Sequence, residues 1–112
     1  MENNSSLQDI FHPPTKITLD GQELLLAYDY RAYALLEEAT QKSVYELKDE
    51  ILDSKITLTN RLLLLYCALL HHQSDFDIKR LQALPNIGHF LDETAAAAFE
   101  AFFVPMLPPK SI

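Results

Sequence analysis

Residues 62–70 read Leu-Leu-Leu-Leu-Tyr-Cys-Ala-Leu-Leu, a run in which the tyrosine hydroxyl is the only polar side-chain group of note. A helix that is apolar on every face has to be buried on every face, because a surface helix shows only an apolar stripe about 100° wide. At about 1.5 Å per residue the run spans about 14 Å, well short of the roughly 30 Å of bilayer hydrocarbon. The run therefore predicts the central core helix of a small soluble domain.

The length and composition of the chain are those of one globular domain. It has 112 residues, of which 48% are hydrophobic and 22% are charged. A chain of this size buries about two thirds of its unfolded surface without disulfides or metal. Residues 1–14 are polar and end in two prolines, so we expect a disordered or extended lead-in. We expect a single domain over 15–104 and a proline-containing tail over 105–112.

The charge balance argues against nucleic acid as a partner. Sixteen acidic residues face nine basic ones, and the net charge is -7. Only Lys79 and Arg80 are adjacent, so the basic residues form no patch for phosphates. Cys67 is the only cysteine, which excludes an intrachain disulfide and indicates a reducing compartment. The first residues show no secretory pattern, and we expect a cytoplasmic protein without a membrane segment.

Residues 15–27 have the pattern of a β-hairpin around Asp20-Gly21, a pair that suits a two-residue type I′ turn. This turn pairs Leu19 with Gln22, Thr18 with Glu23 and Ile17 with Leu24. The pairing places four apolar side chains on one face of the hairpin: Ile17, Leu19, Leu24 and Leu26.

Local signals mark the helices that follow. Asp29 is a candidate N-cap for a helix over 30–40, with Tyr33, Leu36 and Ala32 inward. Ser43 and Glu46 form a capping box that opens a second helix through Leu52. The central helix is capped by Thr57 or Thr59 and continues to His71 or His72.

The C-terminal third contains weaker signals. Ser74 or Asp75 is expected to cap a short helix that ends at Pro85. We expect a turn of helix within 86–91, and then a last helix over about 93–104, capped by Asp92 or Thr94. The predicted fold class is α+β, mainly α: an N-terminal β-hairpin followed by four to five helices packed around a central apolar helix.

The sequence predicts no catalytic, cofactor-binding or metal site. His71 and His72 are adjacent, so on a helix they point about 100° apart and favour a role at the helix C-terminus over one metal ion. His12 and His89 stand alone. Cys67 lies among leucines and lacks the exposed, electropositive surroundings of a nucleophilic thiol.

The end of the chain carries more large apolar residues than a terminal helix needs. They have two interpretations: packing over the central leucines, or a surface for self-association or for a partner helix. The candidate partner-binding residues are Phe99, Phe102, Phe103, Met106 and Leu107.

Residues 15–72 resemble the tail assembly chaperone family of long-tailed bacteriophages and gene transfer agents. In that family a hairpin of the form Ile-x-Leu-Asp-Gly leads into a helix ending near Leu-Glu-Glu-x-Thr-Gly-Lys-Ser. The matching residues are Ile17, Leu19, Asp20, Gly21, Leu36, Glu37, Glu38, Thr40, Lys42 and Ser43. The chain departs from this pattern at Gln41, where the family commonly has the glycine of a left-handed helix C-cap. The sequence is compatible with a left-handed residue at Gln41 and with a different end of this helix.

The resemblance implies a non-enzymatic role in phage tail assembly. The expected partner is the tape measure protein, bound in the cytoplasm of the bacterial host. A longer form of the same chain, made by a programmed frameshift, and a homo-oligomer are further expected partners. Two alternatives remain: a small structural or adaptor subunit of the phage particle, and a metal-dependent enzyme that uses His71, His72 and His89.

Overall fold

The computed structural model describes residues 15–107, in which a two-stranded antiparallel hairpin precedes a mainly helical domain. The predicted fold class is confirmed. The lead-in over 1–14 and the last five residues of the predicted tail lie outside the described residues. The elements in chain order are β1 (Thr15–Leu19), β2 (Gln22–Leu26), α1 (Tyr30–Thr40), α2 (Val44–Leu52), α3 (Leu58–Leu70), α4 (Lys79–Gln82), α5 (Ile87–Phe103) and a 3-10 turn (Val104–Met106).

The hairpin has the predicted register. Leu19 lies opposite Gln22 and Ile17 opposite Leu24. Asp20 and Gly21 both have positive φ, 53° and 75°, as a type I′ turn requires. The predicted apolar face is buried, with Ile17, Leu19, Leu24 and Leu26 all in the core.

The predicted N-caps of the first three helices are present. Asp29 accepts a hydrogen bond from the backbone N–H of Ala32, and Ser43 and Glu46 form the reciprocal capping box at α2. Of the two candidates for α3, Thr57 is the cap, accepting from the N–H of Asn60 at 3.1 Å. The central helix ends at Leu70, one or two residues before the predicted end at His71 or His72, and His71 is its C-cap.

Helix α3 lies at the centre of the core, with α1 and α5 packed against it and the hairpin lying across α3 and α5. Five residues of the 62–70 run are buried, and the other four are half-buried against the core. The expectation of burial on every face is therefore too strong, because one side of α3 borders a groove described below. The buried residues of the run are Leu64, Leu65, Cys67, Ala68 and Leu69.

The predicted short helix before Pro85 is present, but its cap and its extent were wrong. Helix α4 covers only Lys79–Gln82, and neither Ser74 nor Asp75 is its N-cap. Instead the carboxylate of Asp77 accepts a hydrogen bond from the N–H of Lys79 at 2.9 Å.

The prediction for the last helix was also wrong at its start. Helix α5 is continuous from Ile87, and its first turn has no side-chain cap. The two expected caps lie inside the helix and bond elsewhere: Asp92 pairs with Arg61 of α3 at 2.8 Å, and the Thr94 hydroxyl donates to the carbonyl of Phe90. At its C-terminal end the 3-10 turn continues from α5, so packing extends past residue 104.

Within residues 15–107, no helix combines the length and apolar character needed to cross a bilayer.

Candidate partner-binding surfaces

The apolar residues at the end of the chain divide between core and surface. Phe102 is fully buried, so its prediction as a partner-binding residue was wrong. Phe99, Phe103 and Met106 are half-buried and pack against the core, and Leu107 is 52% exposed. We call Phe99, Phe103, Met106 and Leu107 the C-terminal patch.

Contacts with α1 and the preceding loop explain why Phe102 is inside. Its ring makes edge-on contacts with Tyr28 and Tyr33, at centroid distances of 5.5 and 5.6 Å. The Tyr33 hydroxyl also donates a hydrogen bond to the carbonyl of Phe102 at 2.5 Å, which satisfies a free carbonyl near the end of α5. Burial raises the pKa of Tyr33 to about 12, so this hydroxyl stays protonated and remains a donor across the neutral range.

A second apolar surface lies between α1 and α3. It is an open groove of about 480 Å³, which we call the α1–α3 groove. Its lining residues are Asp29, Tyr30, Arg31, Ala32, Ala34, Leu35, Glu38, Cys67, Leu70, His71 and Ser74.

The groove has an apolar floor and a charged rim. Cys67 and Ala32 are buried, while Leu35 is 38% exposed. Arg31 and Glu38 are exposed and carry opposite charges on the α1 side. Since Arg31, Leu35 and Glu38 follow each other at helical spacing, one face of α1 presents an apolar side chain between two charges. An apolar side chain framed by charges is suited to binding another amphipathic helix.

The end of the groove is built by Asp29 and His71. Asp29 Oδ1 caps α1 through the N–H of Ala32, and its Oδ2 lies 3.1 Å from His71 Nδ1 at the end of α3. The hydrogen bond from the Ala32 backbone, together with the nearby His71, lowers the pKa of Asp29. The carboxylate therefore joins the start of α1 to the end of α3, and both of its oxygens already have partners.

The histidines are not brought together as a metal site. The His71 and His72 rings are in edge-on contact, with centroids 4.7 Å apart, and His89 faces Glu93 at 3.3 Å on α5. Within residues 15–107, no group of three or more His, Cys, Asp or Glu side chains has a metal-binding arrangement. His12 lies outside the described residues.

Cys67 has the properties of a core residue. Its side chain is 1% exposed, and burial raises the pKa of the thiol to about 12. A nucleophilic cysteine requires a lowered pKa and access to the substrate. The thiol therefore contributes apolar surface to the floor of the groove.

The groove was not predicted from the sequence. Its two walls come from α1 and α3, and the packing of these helices leaves Leu35 exposed and Leu70 half-buried. One signal was available in the sequence: Leu35 lies beside the inward-facing Leu36 on α1, where an amphipathic surface helix would carry a polar residue.

A comparison with protein-family models returns no match, and comparisons with curated proteins and with solved structures return no significant match either. The function of the protein is therefore inferred from the residues of this chain.

Proposed function

We propose that this protein is a non-enzymatic tail assembly chaperone that binds helical segments of the tape measure protein in the cytoplasm of the bacterial host. The observation that carries the proposal is the α1–α3 groove, an apolar channel between two helices with charges of both signs at its rim. Helix-in-groove binding uses such a surface to cover the apolar face of an amphipathic helix. A chaperone of this kind shields that face until the final partner replaces it.

The left-handed residue at the end of α1 supports the resemblance to the family. Gln41 has φ 60° and ψ 29°, the conformation for which glycine is favoured, and its N–H donates to the carbonyl of Glu37. The backbone therefore has the same geometry that the family's glycine indicates, although the side chain differs. The Gln41 amide compensates in part, because its Nε2 donates to the carbonyl of Glu38 at 2.8 Å.

The charge of the chain supports the same role. A net charge of -7 opposes non-specific aggregation, which would otherwise threaten a chaperone with exposed apolar surface. Leu35 in the groove and Leu107 in the C-terminal patch are exposed large apolar side chains. The groove is the better candidate for the helix site, since its walls are regular helices on both sides.

Co-expression with the tape measure protein of the same genome tests the proposal. We expect a soluble complex in a pull-down, and Leu35→Asp is expected to weaken it at least about tenfold, since a charge then replaces an apolar contact. The matched control is Leu52→Asp, which changes a leucine that is 66% exposed on α2 and outside the groove. No complex with the wild-type chain, and no gain in solubility of the tape measure protein, would contradict the proposal.

Two further measurements define the role. A Leu107→Asp variant weakens the complex only if the C-terminal patch also contacts the partner. Mass spectrometry of purified particles separates a chaperone from a structural subunit, because a chaperone is expected to be absent from the finished particle.

A further inference from the structure

The outer edge of β2 is covered at its C-terminal end by the residues that follow α3 and by α3 itself. The side-chain amide of Gln73 accepts a hydrogen bond from the N–H of Leu25 and donates one to the carbonyl of Leu25, both at 3.0 Å. Two residues on, the N–H of Ala27 donates to the carbonyl of Ala68 at 3.1 Å. The backbone groups of Leu25 therefore point away from β1.

Among residues 15–107, this geometry leaves the outer edge of β1 as the open edge of the sheet. In an antiparallel pair, two residues opposite each other either both point into the ladder or both point away from it. Lys16 lies opposite Leu25 and Thr18 opposite Glu23, so the N–H and C=O groups of Lys16 and Thr18 point outward. Within residues 15–107, these groups make no backbone hydrogen bond outside the hairpin, and both side chains are exposed.

We propose that β1 of one copy pairs antiparallel with β1 of a second copy, about a two-fold axis at Ile17, to form a four-stranded sheet. Around that axis Lys16 lies opposite Thr18 of the second copy, and Thr18 lies opposite Lys16 of the second copy. These are the outward-pointing residues, so each of the two pairs exchanges both of its N–H···O bonds. An open strand edge is a template for this kind of pairing. The inference does not depend on the proposed function.

The charges around the hairpin favour a second copy as the occupant. Lys16 is paired with Glu23 at 3.3 Å, and Asp20 lies 3.9 Å from Arg80. The hairpin is therefore locally neutral in a chain whose net charge is -7, so two copies meet less repulsion there than the net charge alone implies. The register also places no two like charges directly opposite each other.

The expected dimer is weak and depends on concentration. Ile17 and Leu19 are already buried in the core of their own copy, so pairing adds mainly backbone hydrogen bonds. A stable interface usually buries about 1,200–2,000 Å², more than one short strand pair provides alone. Sedimentation velocity over a wide concentration range is therefore the appropriate measurement.

Thr18→Pro is the variant that tests the edge. It removes an N–H that points away from β2, so the hairpin keeps its own ladder, and proline is tolerated on the open side of an edge strand. We expect its dimer to dissociate at least about tenfold more readily, because the Lys16 carbonyl of each copy loses the N–H donor that Thr18 of the other copy supplied. Thr18→Val is the matched control, since it keeps the N–H and a β-branched side chain. Circular dichroism checks that both variants are folded.

Cysteine crosslinking tests the register without changing the ladder. A mixture of Lys16→Cys and Thr18→Cys chains is expected to crosslink to heterodimers in preference to either homodimer, and Cys67 is too deeply buried to compete. A chain that is monomeric at all concentrations, a dimer that Thr18→Pro does not weaken, or a homodimer preference overturns the proposal. If the chain is monomeric, the outer edge of β1 remains available for a strand of another protein.

Discussion

The α1–α3 groove and the C-terminal patch are both apolar, but the fold holds them differently. The groove lies between two helices that are joined at one end by the contact of Asp29 with His71. The patch lies at the end of one helix, where Tyr33 draws Phe102 into the core and leaves its neighbours at the surface. The number of apolar residues in a segment therefore does not measure the surface it offers to a partner. Helical register and the contacts across the core decide it.

The largest expected effect on stability comes from substituting two adjacent phenylalanines, one in the core and one in the C-terminal patch. Phe102→Ala is expected to lower the free energy of unfolding by about 3–5 kcal/mol, because it empties a fully buried site between Tyr28 and Tyr33. Phe103→Ala is the matched control and is expected to cost clearly less, since Phe103 is half-buried. Urea denaturation of the three proteins measures both values.

Equal losses for the two variants would contradict the division between core and patch. A large loss at Phe103 alone would place Phe103 inside and return Phe102 to the candidate surface.

Some of the fold was predictable because independent local signals agree. The alternation of the hairpin and the geometry of its turn both require Leu19 opposite Gln22, so one confirms the other. The Ser43 and Glu46 capping box is likewise local, since both hydrogen bonds join residues three apart. Such features depend little on the rest of the chain.

The parts that were not predictable depend on contacts between distant residues. The start of α5 was predicted too late because Asp92 and Thr94 are residue types that commonly act as N-caps. In the folded chain, however, the Asp92 carboxylate accepts a hydrogen bond from Arg61 of α3. At its first turn α5 has no side-chain cap, so the sequence carries no local mark there. The groove was not predicted for the same reason. Its shape depends on how α1 and α3 pack against each other, and neither helix alone shows this.

The link at the end of the groove gives a smaller test. Asp29→Ala removes both the N-cap of α1 and the contact with His71, and it is expected to lower the free energy of unfolding by about 0.5–2 kcal/mol. Asp29→Asn keeps a capping oxygen and removes the charge, so its loss is expected to be smaller. Thermal denaturation at neutral pH compares the two.

The pH dependence of the same site follows from the lowered pKa of Asp29. A carboxyl with a lowered pKa in the folded state stabilises the protein above its unfolded pKa of about 3.9, and this stabilisation is lost as the pH falls through the folded pKa. We therefore expect the difference between wild type and Asp29→Asn to shrink below about pH 4. A difference that grows on acidification would show that the charge of Asp29 is not the stabilising feature.

The two regions also differ in how their helices end, and this gives the smallest test. Helix α5 runs into a 3-10 turn with a right-handed residue at Val104, whereas α1, one wall of the groove, ends at the left-handed Gln41. A residue with a Cβ is strained there by about 1–2 kcal/mol, and glycine is not. Glycine also loses more entropy on folding, by about 0.5–1 kcal/mol, and the Gln41 side-chain bond to Glu38 is removed. We therefore expect Gln41→Gly to raise the free energy of unfolding by less than about 1 kcal/mol.

The matched control is Gln41→Ala, which removes the same bond but keeps the strain, so it is expected to be less stable than wild type. Urea midpoints at equal slope give the order, and an alanine variant more stable than the glycine variant would mean that the end of α1 is not held in the left-handed conformation.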